Sequence, residues 1–427
     1  MARPSTKNVV LIFSLSFMIM LSEFAIQSEG LSDYRSIDLT GGYYDAGDNV
    51  KFGFPMAFAI SMLSWSNELL NALDAIQRRT DYLIKVHTQP NVLYGEVGDG
   101  DSDHACWQRP EDMTTPGTAY KIDEQHLGAD LAGETMAAFA AASIAFVPMD
   151  SNYSAQLLTH ARQVYDFASL HRGHYQKSIP GAQKFYSSSG YELLAPVKID
   201  TGGVRTQFSR DDKFRRRPNP RCQGISQLVC QIVFVNKLLM EDKFGDFYAT
   251  AAQYQKRAEQ FICNCLQKGD GNFHKTPGGL LWFLPRNNLQ YTSTAAFVSA
   301  VIIIALYTDY LAPKHASIQC PNSIMLSFDL IMLAQSQAGY ILRANPNNIS
   351  YMIGYGSRCP THVHHMGASI VSMKNDSAPV SCSQGYGFNR QGPDGQDGYT
   401  DARTNYQQAE PATINTAPFV GLLASLA

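Results

Sequence analysis

From residue 55 onward, apolar residues recur at three- and four-residue spacing in a succession of long runs. This spacing puts apolar side chains on one face of a helix, and it limits the possible fold more than any other feature of the chain. The run that starts at Ala129 is apolar on nearly all sides, as in a helix covered on both sides. No comparable stretch alternates as a strand would, so we predict an all-α domain of antiparallel helices. The runs are Asp74–His87, Ala129–Val147, Ala155–Arg172, Ser226–Glu241, Tyr248–Cys265, Tyr291–Leu311 and Ser323–Arg343.

The first 30 residues have the pattern of a secretory signal peptide. Arg3 and Lys7 precede an apolar run at residues 9–21, and small residues for cleavage follow at residues 28–30. The run is short for the alternative, a membrane anchor. We therefore expect residues 31–427 to be a secreted domain, extracellular or in a cell wall, that contacts no membrane after signal removal. Export would make three Asn-x-Ser sequons available for N-glycosylation, at Asn152, Asn348 and Asn375.

The amino-acid composition limits the kinds of molecule that the chain can bind. A net charge of -3 with 45% hydrophobic residues favours a large core and disfavours a nucleic-acid or membrane surface. The eight cysteines are too dispersed for a dense disulfide scaffold or a paired CxxC metal site, and their connectivity cannot be read from spacing. We expect a monomer without a metal or other cofactor.

The aspartate loop, residues 41–53, holds Asp45 and Asp48 three residues apart among glycines and aromatic residues. Glycines permit the tight backbone that would aim both carboxylates at one point. A pair aimed in this way can orient a water molecule and accept its proton, which is the base half of acid/base hydrolysis. The alternative is a turn in which both side chains only accept backbone hydrogen bonds.

A second loop, residues 99–113, combines acids with candidate substrate-binding residues His104, Trp107 and Arg109. An indole ring stacks on sugar C–H groups while charged and imidazole donors bind hydroxyls. The alternating Asp99, Asp101 and Asp103 suggest calcium as an alternative, but the glutamate that an EF-hand requires does not follow.

A third loop, residues 350–367, contains Tyr355 and three histidines in four positions, His362, His364 and His365. A zinc site is the alternative here, but no HExxH framework is present. We interpret the loop as a substrate-binding segment.

The last segment of interest places Glu410 before Pro411, which favours extended backbone at the glutamate. A carboxyl group beside the ring of Tyr406 could be partly desolvated and kept protonated. Glu410 is therefore a candidate general acid, with Asp401 and Arg403 positioned to hold the site.

Five motifs taken together resemble the plant-type endoglucanases of glycoside hydrolase family 9. They are YYDAGDNVKFGFPMAF, DHACWQRPEDMTTP, KTPGGL, YMIGYGSRCPTHVHH and DARTNYQQAEPAT, in this order. The resemblance implies an (α/α)6 barrel and inverting hydrolysis of β-1,4-glucan polysaccharide. It also implies that Asp48 is the base, Asp45 its partner on the water, and Glu410 the acid, with His364 and Asp401 at the active site.

The chain departs from the family pattern in several places. A helix before the aspartate loop and a Trp-bearing helix after Tyr191 are missing, so we expect an incomplete barrel with helices lost near the N-terminus and around residues 195–224. Arg210 and Arg286 stand where the family has cleft tryptophans, and Met366 replaces an arginine. Each lost stacking face should cost on the order of 1 kcal/mol in glucan binding.

Two hypotheses follow. The first is a secreted endo-β-1,4-glucanase, whose preference among cellulose, xyloglucan and mixed-linkage glucan the sequence leaves open. The second is a catalytically impaired family member that binds wall glucan or is an unstable truncated product, since a missing barrel helix exposes apolar faces.

Overall fold

The structure is a computed structural model that describes residues 37–65, 70–188, 190–191, 197–200, 203–206, 256, 259–307, 317–382, 394–402 and 406–426. The chain divides into two compact units. Unit 1 takes in the described parts of Met1–Leu194, His362–Gln391 and Asp401–Ala417, and unit 2 those of Ala195–Thr361, Gly392–Thr400 and Pro418–Ala427.

Helices dominate the described residues. They are α1 (Gly53–Trp65), α2 (Leu70–Val86), α3 (Gly100–His104), α4 (Ala129–Phe146), α5 (Ser151–Leu170), α6 (Tyr175–Ser178), α7 (Pro180–Tyr186), α8 (Asn288–Tyr307), α9 (Ser327–Leu342), α10 (Met366–Ser369), α11 (Tyr406–Ala409) and α12 (Thr413–Leu426). Residues 259–265 are also helical, and Pro110–Asp112 form one 3-10 turn. None of the helices within these described ranges combines the length and apolar character that a membrane crossing requires.

Helix α4 forms the centre of unit 1. It packs against α5 and α1, and nearly all of its side chains are buried, as its apolar sequence predicted. Helix α5 begins at Ser151, four residues before the predicted start, because the Asp150 side chain accepts hydrogen bonds from the N–H groups of Asn152 and Tyr153. Such a cap satisfies donors that have no partner within the helix.

Short antiparallel strands connect the helices. They are β1 (Lys51–Phe52), β2 (Leu93–Val97), β3 (Ala119–Ile122), β4 (Val197–Asp200), β5 (Gly203–Thr206), β6 (His274–Lys275), β7 (Leu281–Trp282), β8 (Ser317–Cys320) and β9 (Ser323–Leu326). In unit 1, β1, β2 and β3 form one sheet in which Phe52 pairs with Glu96, and a register irregularity lies between Tyr94 and Glu96. This sheet fixes the end of the aspartate loop, since β1 belongs to it.

The predicted helix over Ser323–Arg343 is wrong in its first four residues. These form β9, where Met325 is buried while Ile324 and Leu326 are exposed, which is the two-residue period of a strand. The helix starts only at Ser327, where the Asp329 side chain accepts a hydrogen bond from the Leu326 N–H at 2.8 Å.

Several predictions lie outside the described residues. They concern the signal peptide at residues 1–30, the helix over Ser226–Glu241, Arg210 and Arg403. In unit 2, α8 has the buried residues Ala295, Phe297 and Val298, as expected of an inner helix.

Candidate active site

The aspartate loop folds into a closed turn that brings its two acids together. The Asp48 N–H donates to the Asp45 carbonyl oxygen at 2.9 Å, and the Asp45 N–H donates to the Val50 carbonyl oxygen at 2.9 Å. Ala46 between the acids has a φ of 44°, in the left-handed region. Both carboxylates are only 6% exposed. The backbone therefore orients two buried acids within one turn.

Residues 364–366 lie directly against this turn. The Met366 N–H donates to the Gly47 carbonyl oxygen at 3.0 Å. A Cβ atom at Gly47 would stand 2.4 Å from the His364 carbonyl oxygen, so only glycine allows this approach. Met366 is buried, and its Sδ atom accepts a weak hydrogen bond from Asn49 Nδ2 at 3.3 Å. The Met366 side chain thus packs beside the residue that follows Asp48.

Asp48 has an imidazole neighbour. His104 Nε2 lies 3.5 Å from Asp48 Oδ1, while His104 Nδ1 lies 2.7 Å from the Gly100 carbonyl oxygen. A carbonyl oxygen can only accept, so Nδ1 carries a proton. A hydrogen bond from Nε2 to Asp48 then requires a second proton on the ring. In that state a cationic imidazole would face Asp48 and favour its ionised form.

A third acid, Asp103, completes this group. Burial raises the pKa of Asp103 to about 6, against the opposing effect of hydrogen bonds from Asn49, whose N–H lies 3.2 Å from Asp103 Oδ2. Side-chain atoms of Asp48, Asp103 and His104 all lie within 4.8 Å of one another, so they could ligate a cation. A cation there would occupy Asp48. The predicted absence of a metal and of a cofactor stays a prediction.

Tyr186, the last residue of α7, contacts Asp45 of the aspartate loop. Its hydroxyl donates a hydrogen bond to Asp45 Oδ2. Burial, and next the charges of Asp45, Glu410 and Asp48, raise the pKa of Tyr186 well above its usual value. A charge acts on a hydroxyl in this way only when it is nearby. The Tyr186 hydroxyl therefore keeps its proton and donates it in a hydrogen bond to Asp45.

Residues near the C-terminus also pack against the aspartate loop. A small apolar cluster contains Ala46, Ala412 and Ile414, with Phe58 and Tyr186 packed against it. Glu410 itself is half-buried, two residues before Ala412.

Trp107 and Arg109, two predicted sugar-binding residues, are largely buried. Trp107 is 6% exposed, its ring centroid lies 4.8 Å from that of His364, and its Nε1 donates to Ser369 Oγ at 2.8 Å. Arg109 is 2% exposed, and its guanidinium donates to Asp112 and to backbone carbonyl oxygens. These contacts favour a structural role for Arg109 over the predicted contact with substrate.

The remaining predicted residues are more dispersed. Asp401 is exposed, and its Oδ1 lies 3.3 Å from the backbone N and from Nδ1 of His362. Tyr355 is half-buried in unit 2, and Arg286 is exposed in the same unit. Tyr406 lies on α11, and its side chain is outside the described set.

Sequence reasoning missed Tyr186 and Asp103. The available signal for Tyr186 was the aromatic pair at residues 185–186 before a serine-rich stretch, and that pattern does not reveal a partner 141 residues away. Asp103 was considered only as part of a calcium loop.

Comparison with known proteins identifies the family. The model of glycosyl hydrolase family 9 matches residues 20–197 and 201–423. The chain belongs to this family. Among its relatives, Endoglucanase 13 of Arabidopsis thaliana is 50% identical over 91% of this chain and 84% of its own length. Endoglucanase 1 of Oryza sativa subsp. japonica is 44% identical over 94% of this chain and 69% of its own length.

Solved structures agree with this family 9 assignment. The endoglucanase of the termite Nasutitermes takasagoensis is 30% identical with a TM-score of 0.69, and the match covers 100% of this chain and 99% of that one. The cellulase Cel9M of C. cellulolyticum, in complex with cellobiose, is 26% identical with a TM-score of 0.62, over 92% of this chain and 88% of that one. The predicted all-α, (α/α)6-barrel class and the predicted glycoside hydrolase of endoglucanase type are confirmed.

Proposed function

We propose that this family 9 chain is an inverting endo-β-1,4-glucanase in which Asp48 is the general base and Glu410 the general acid. The names of its plant relatives and the cellobiose complex of the related cellulase support a β-1,4-glucan as the substrate. An inverting enzyme needs its two carboxyl groups about 6.5 to 9.5 Å apart, with a water molecule between the base and the sugar.

The base half of the mechanism rests on Asp48 and Asp45. A base must be ionised, and a doubly protonated His104 facing Asp48 would keep it so. Asp45, fixed by the Tyr186 hydroxyl, is placed to hold the attacking water while Asp48 accepts its proton.

The acid half rests on Glu410, which would protonate the leaving oxygen. The observation that carries the proposal is that Tyr186, whose hydroxyl donates to Asp45 Oδ2, packs against the cluster of Ala46, Ala412 and Ile414, which joins the aspartate loop to the segment that contains Glu410. The aspartates and Glu410, at least 362 positions apart in the chain, thus share one neighbour, as a site that uses both a base and an acid requires.

Substrate contacts by the other candidates remain part of the proposal. The His364 ring contacts Trp107 at a tilt of 59° next to the aspartate loop, and His104 is partly exposed beside Asp48, which supports a role for both in meeting a sugar. The other proposed substrate contacts are Tyr355, Arg403 and Tyr406, and Asp401 and His364 are proposed to act with the catalytic acids.

The decisive experiment is reducing-sugar release from carboxymethyl cellulose by purified protein. The wild type should release sugar, Glu410→Gln and Asp48→Asn should not, and Glu124→Gln, at an exposed glutamate, should behave as the wild type. NMR of the first product should show the α-anomer, because inversion at a β-linkage produces it. Equal release by the wild type and Glu410→Gln would refute the proposed acid.

We also propose that the chain is secreted, with residues 1–30 as signal peptide and residues 31–427 as the catalytic domain. The disulfides Cys106–Cys382 and Cys263–Cys320 support this, because such bonds persist in oxidising compartments. N-terminal sequencing of protein recovered from the medium of expressing cells tests it: a mature chain starting near Leu31 is expected, and an intact Met1 terminus would contradict it.

An impaired family member is the second candidate. The alignment with Endoglucanase 13 has 433 positions yet covers only 91% of this 427-residue chain, so several tens of its positions have no residue here. This supports the proposed loss of internal segments from the barrel. In that case the protein would bind glucan in a pull-down without releasing sugar, or would fail to fold.

A further inference from the structure

Arg109 is fully engaged within the protein. Its Nε donates to Asp112 Oδ2 at 2.5 Å, one terminal nitrogen donates to the Val371 and Asp376 carbonyl oxygens at 2.9 Å each, and the other donates to the Ala378 carbonyl oxygen at 2.7 Å. The three carbonyl groups belong to one exposed stretch, residues 371–379. The buried guanidinium of Arg109 thus binds the backbone carbonyl groups of an exposed loop.

Neighbours of Arg109 hold the same stretch. Asp112 Oδ2 accepts a hydrogen bond from the Val380 N–H at 3.0 Å. Cys106 is bonded to Cys382, and Trp107 donates to Ser369. Residues 106–112 therefore contact both ends of the segment 369–382.

The segment held in this way continues directly into the residues that touch the aspartate loop. Met366 donates to the Gly47 carbonyl oxygen, and the His364 carbonyl oxygen lies against Gly47 so closely that no side chain fits. Gly47 is the residue between Ala46 and Asp48, inside the turn that orients both acids. A shift of residues 364–366 would be transmitted to that turn, because packed groups at van der Waals distance cannot move independently.

We propose that Arg109, together with Asp112, is a positioning residue for hydrolysis: it fixes residues 371–380, which hold residues 364–369 against Gly47 and so keep Asp45 and Asp48 in place. This inference rests on the proposed function of the two aspartates. It replaces the substrate contact that the sequence suggested for Arg109.

Only a guanidinium suits this role. Its donors lie in one plane at fixed angles, which lets a single side chain bind an acid and three carbonyl groups at once. Lysine keeps the charge but offers a single nitrogen. Arg109→Lys therefore removes the geometry of the contact while preserving its charge.

The test is steady-state hydrolysis of carboxymethyl cellulose by Arg109→Lys, with Arg343→Lys as the matched control at an exposed arginine of unit 2. A misplaced base lowers kcat while substrate contacts persist, so Arg109→Lys should lose about tenfold or more in kcat with KM changed by less than about twofold. A rise in KM with kcat preserved would show a substrate contact and overturn the proposal. Unchanged kinetics would overturn it as well.

Two further measurements distinguish a folding defect from a displacement of Asp45 and Asp48. Circular dichroism gives the folded fraction, and a kcat loss no larger than the loss of folded protein would overturn the proposal. Guanidinium ions added to Arg109→Ala, far below denaturing concentrations, should restore kcat in part by occupying the vacated site. Asp112→Asn should show a smaller loss of kcat in the same direction.

Proteolysis tests the inference even if the wild type releases no sugar, which would refute the proposed function instead. Lys374 lies in the exposed stretch and is a trypsin site. Without the hydrogen bonds from Arg109, the stretch should open more often. Trypsin should therefore cleave after Lys374 about tenfold faster in Arg109→Lys than in the wild type or Arg343→Lys. Mass spectrometry measures the rate of this cleavage. Equal cleavage rates would show that Arg109 does not hold the stretch.

Discussion

The contact between buried His87 and half-buried His160 predicts that the fold loses stability in acid. The two Nδ1 atoms lie 2.7 Å apart, and His87 Nε2 faces the Pro90 carbonyl oxygen at 3.5 Å. Since a carbonyl oxygen only accepts, His87 carries its proton on Nε2 and accepts from His160 through Nδ1. A proton added to both rings would set two donors against each other. Burial, and next the charge of His160, lower the pKa of His87 to about 4.

The size of the effect follows from linkage. Above pH 6.5, the ordinary value, His87 is neutral in the folded and the unfolded chain and does not make stability depend on pH. Between pH 6.5 and about 4 only the unfolded chain takes up the proton, so the free energy of unfolding falls with falling pH. At 1.36 kcal/mol per pH unit the loss reaches about 3 kcal/mol, a large part of the roughly 5–15 kcal/mol that stabilises a typical domain.

Urea unfolding of the wild type and His87→Gln between pH 7 and pH 4 measures this loss. The glutamine cannot ionise, so the difference between the two urea midpoints should shift in favour of the variant as the pH falls. His274→Gln, at an exposed histidine of β6, is the control and should follow the wild type. Midpoints of the wild type and His87→Gln that fall in parallel would refute the reasoning.

Three further predictions concern the site and its support. Tyr186→Phe removes the hydrogen bond to Asp45; since bonds to charged groups contribute about 1.5–3 kcal/mol, kcat on carboxymethyl cellulose should fall about tenfold or more, and an unchanged kcat would contradict the role. Burial raises the pKa of Glu96 to about 8, so the unfolded chain loses this proton first as pH rises from 4.5. Glu96→Gln should therefore melt above the wild type at pH 8 and close to it near pH 4.5, and equal melting temperatures at both would refute this. Replacing Cys106 and Cys382 by serine opens a link across 276 residues; it should cost about 5 kcal/mol of unfolding free energy, about 1 kcal/mol more than opening the other disulfide, and equal losses would count against the loop-entropy estimate.

The helical part of the fold could be predicted because helix formation is local. The apolar run from Ala129 predicted α4 to within one residue, since its hydrogen bonds join residues four apart. The start of α9 could not be predicted, because Ser323–Leu326 pair with β8 in a hairpin. Pairing with a neighbouring strand overrode the helical spacing of these residues.

The sequence allowed the acids of the candidate site to be proposed, but it did not reveal the side chains that contact them. Asp45, Asp48 and Glu410 could be proposed from their motifs, and packing around Tyr186 supports grouping them. Tyr186 itself carries no local pattern, because its role depends on a partner from another part of the chain. Arg109 stood in a recognisable motif, yet its contacts are carbonyl groups 262 to 269 residues away.

By itself, the sequence determined the helical class of this protein, the family to which it belongs and the acids at its candidate centre. Spacing and motif are properties of neighbouring residues, and they remain readable without coordinates. Only the tertiary structure decided that the guanidinium of Arg109 faces inward and that the hydroxyl of Tyr186 donates to Asp45. The physical reason is that a side chain binds the donors and acceptors that packing brings to it, and packing is settled by the whole chain at once.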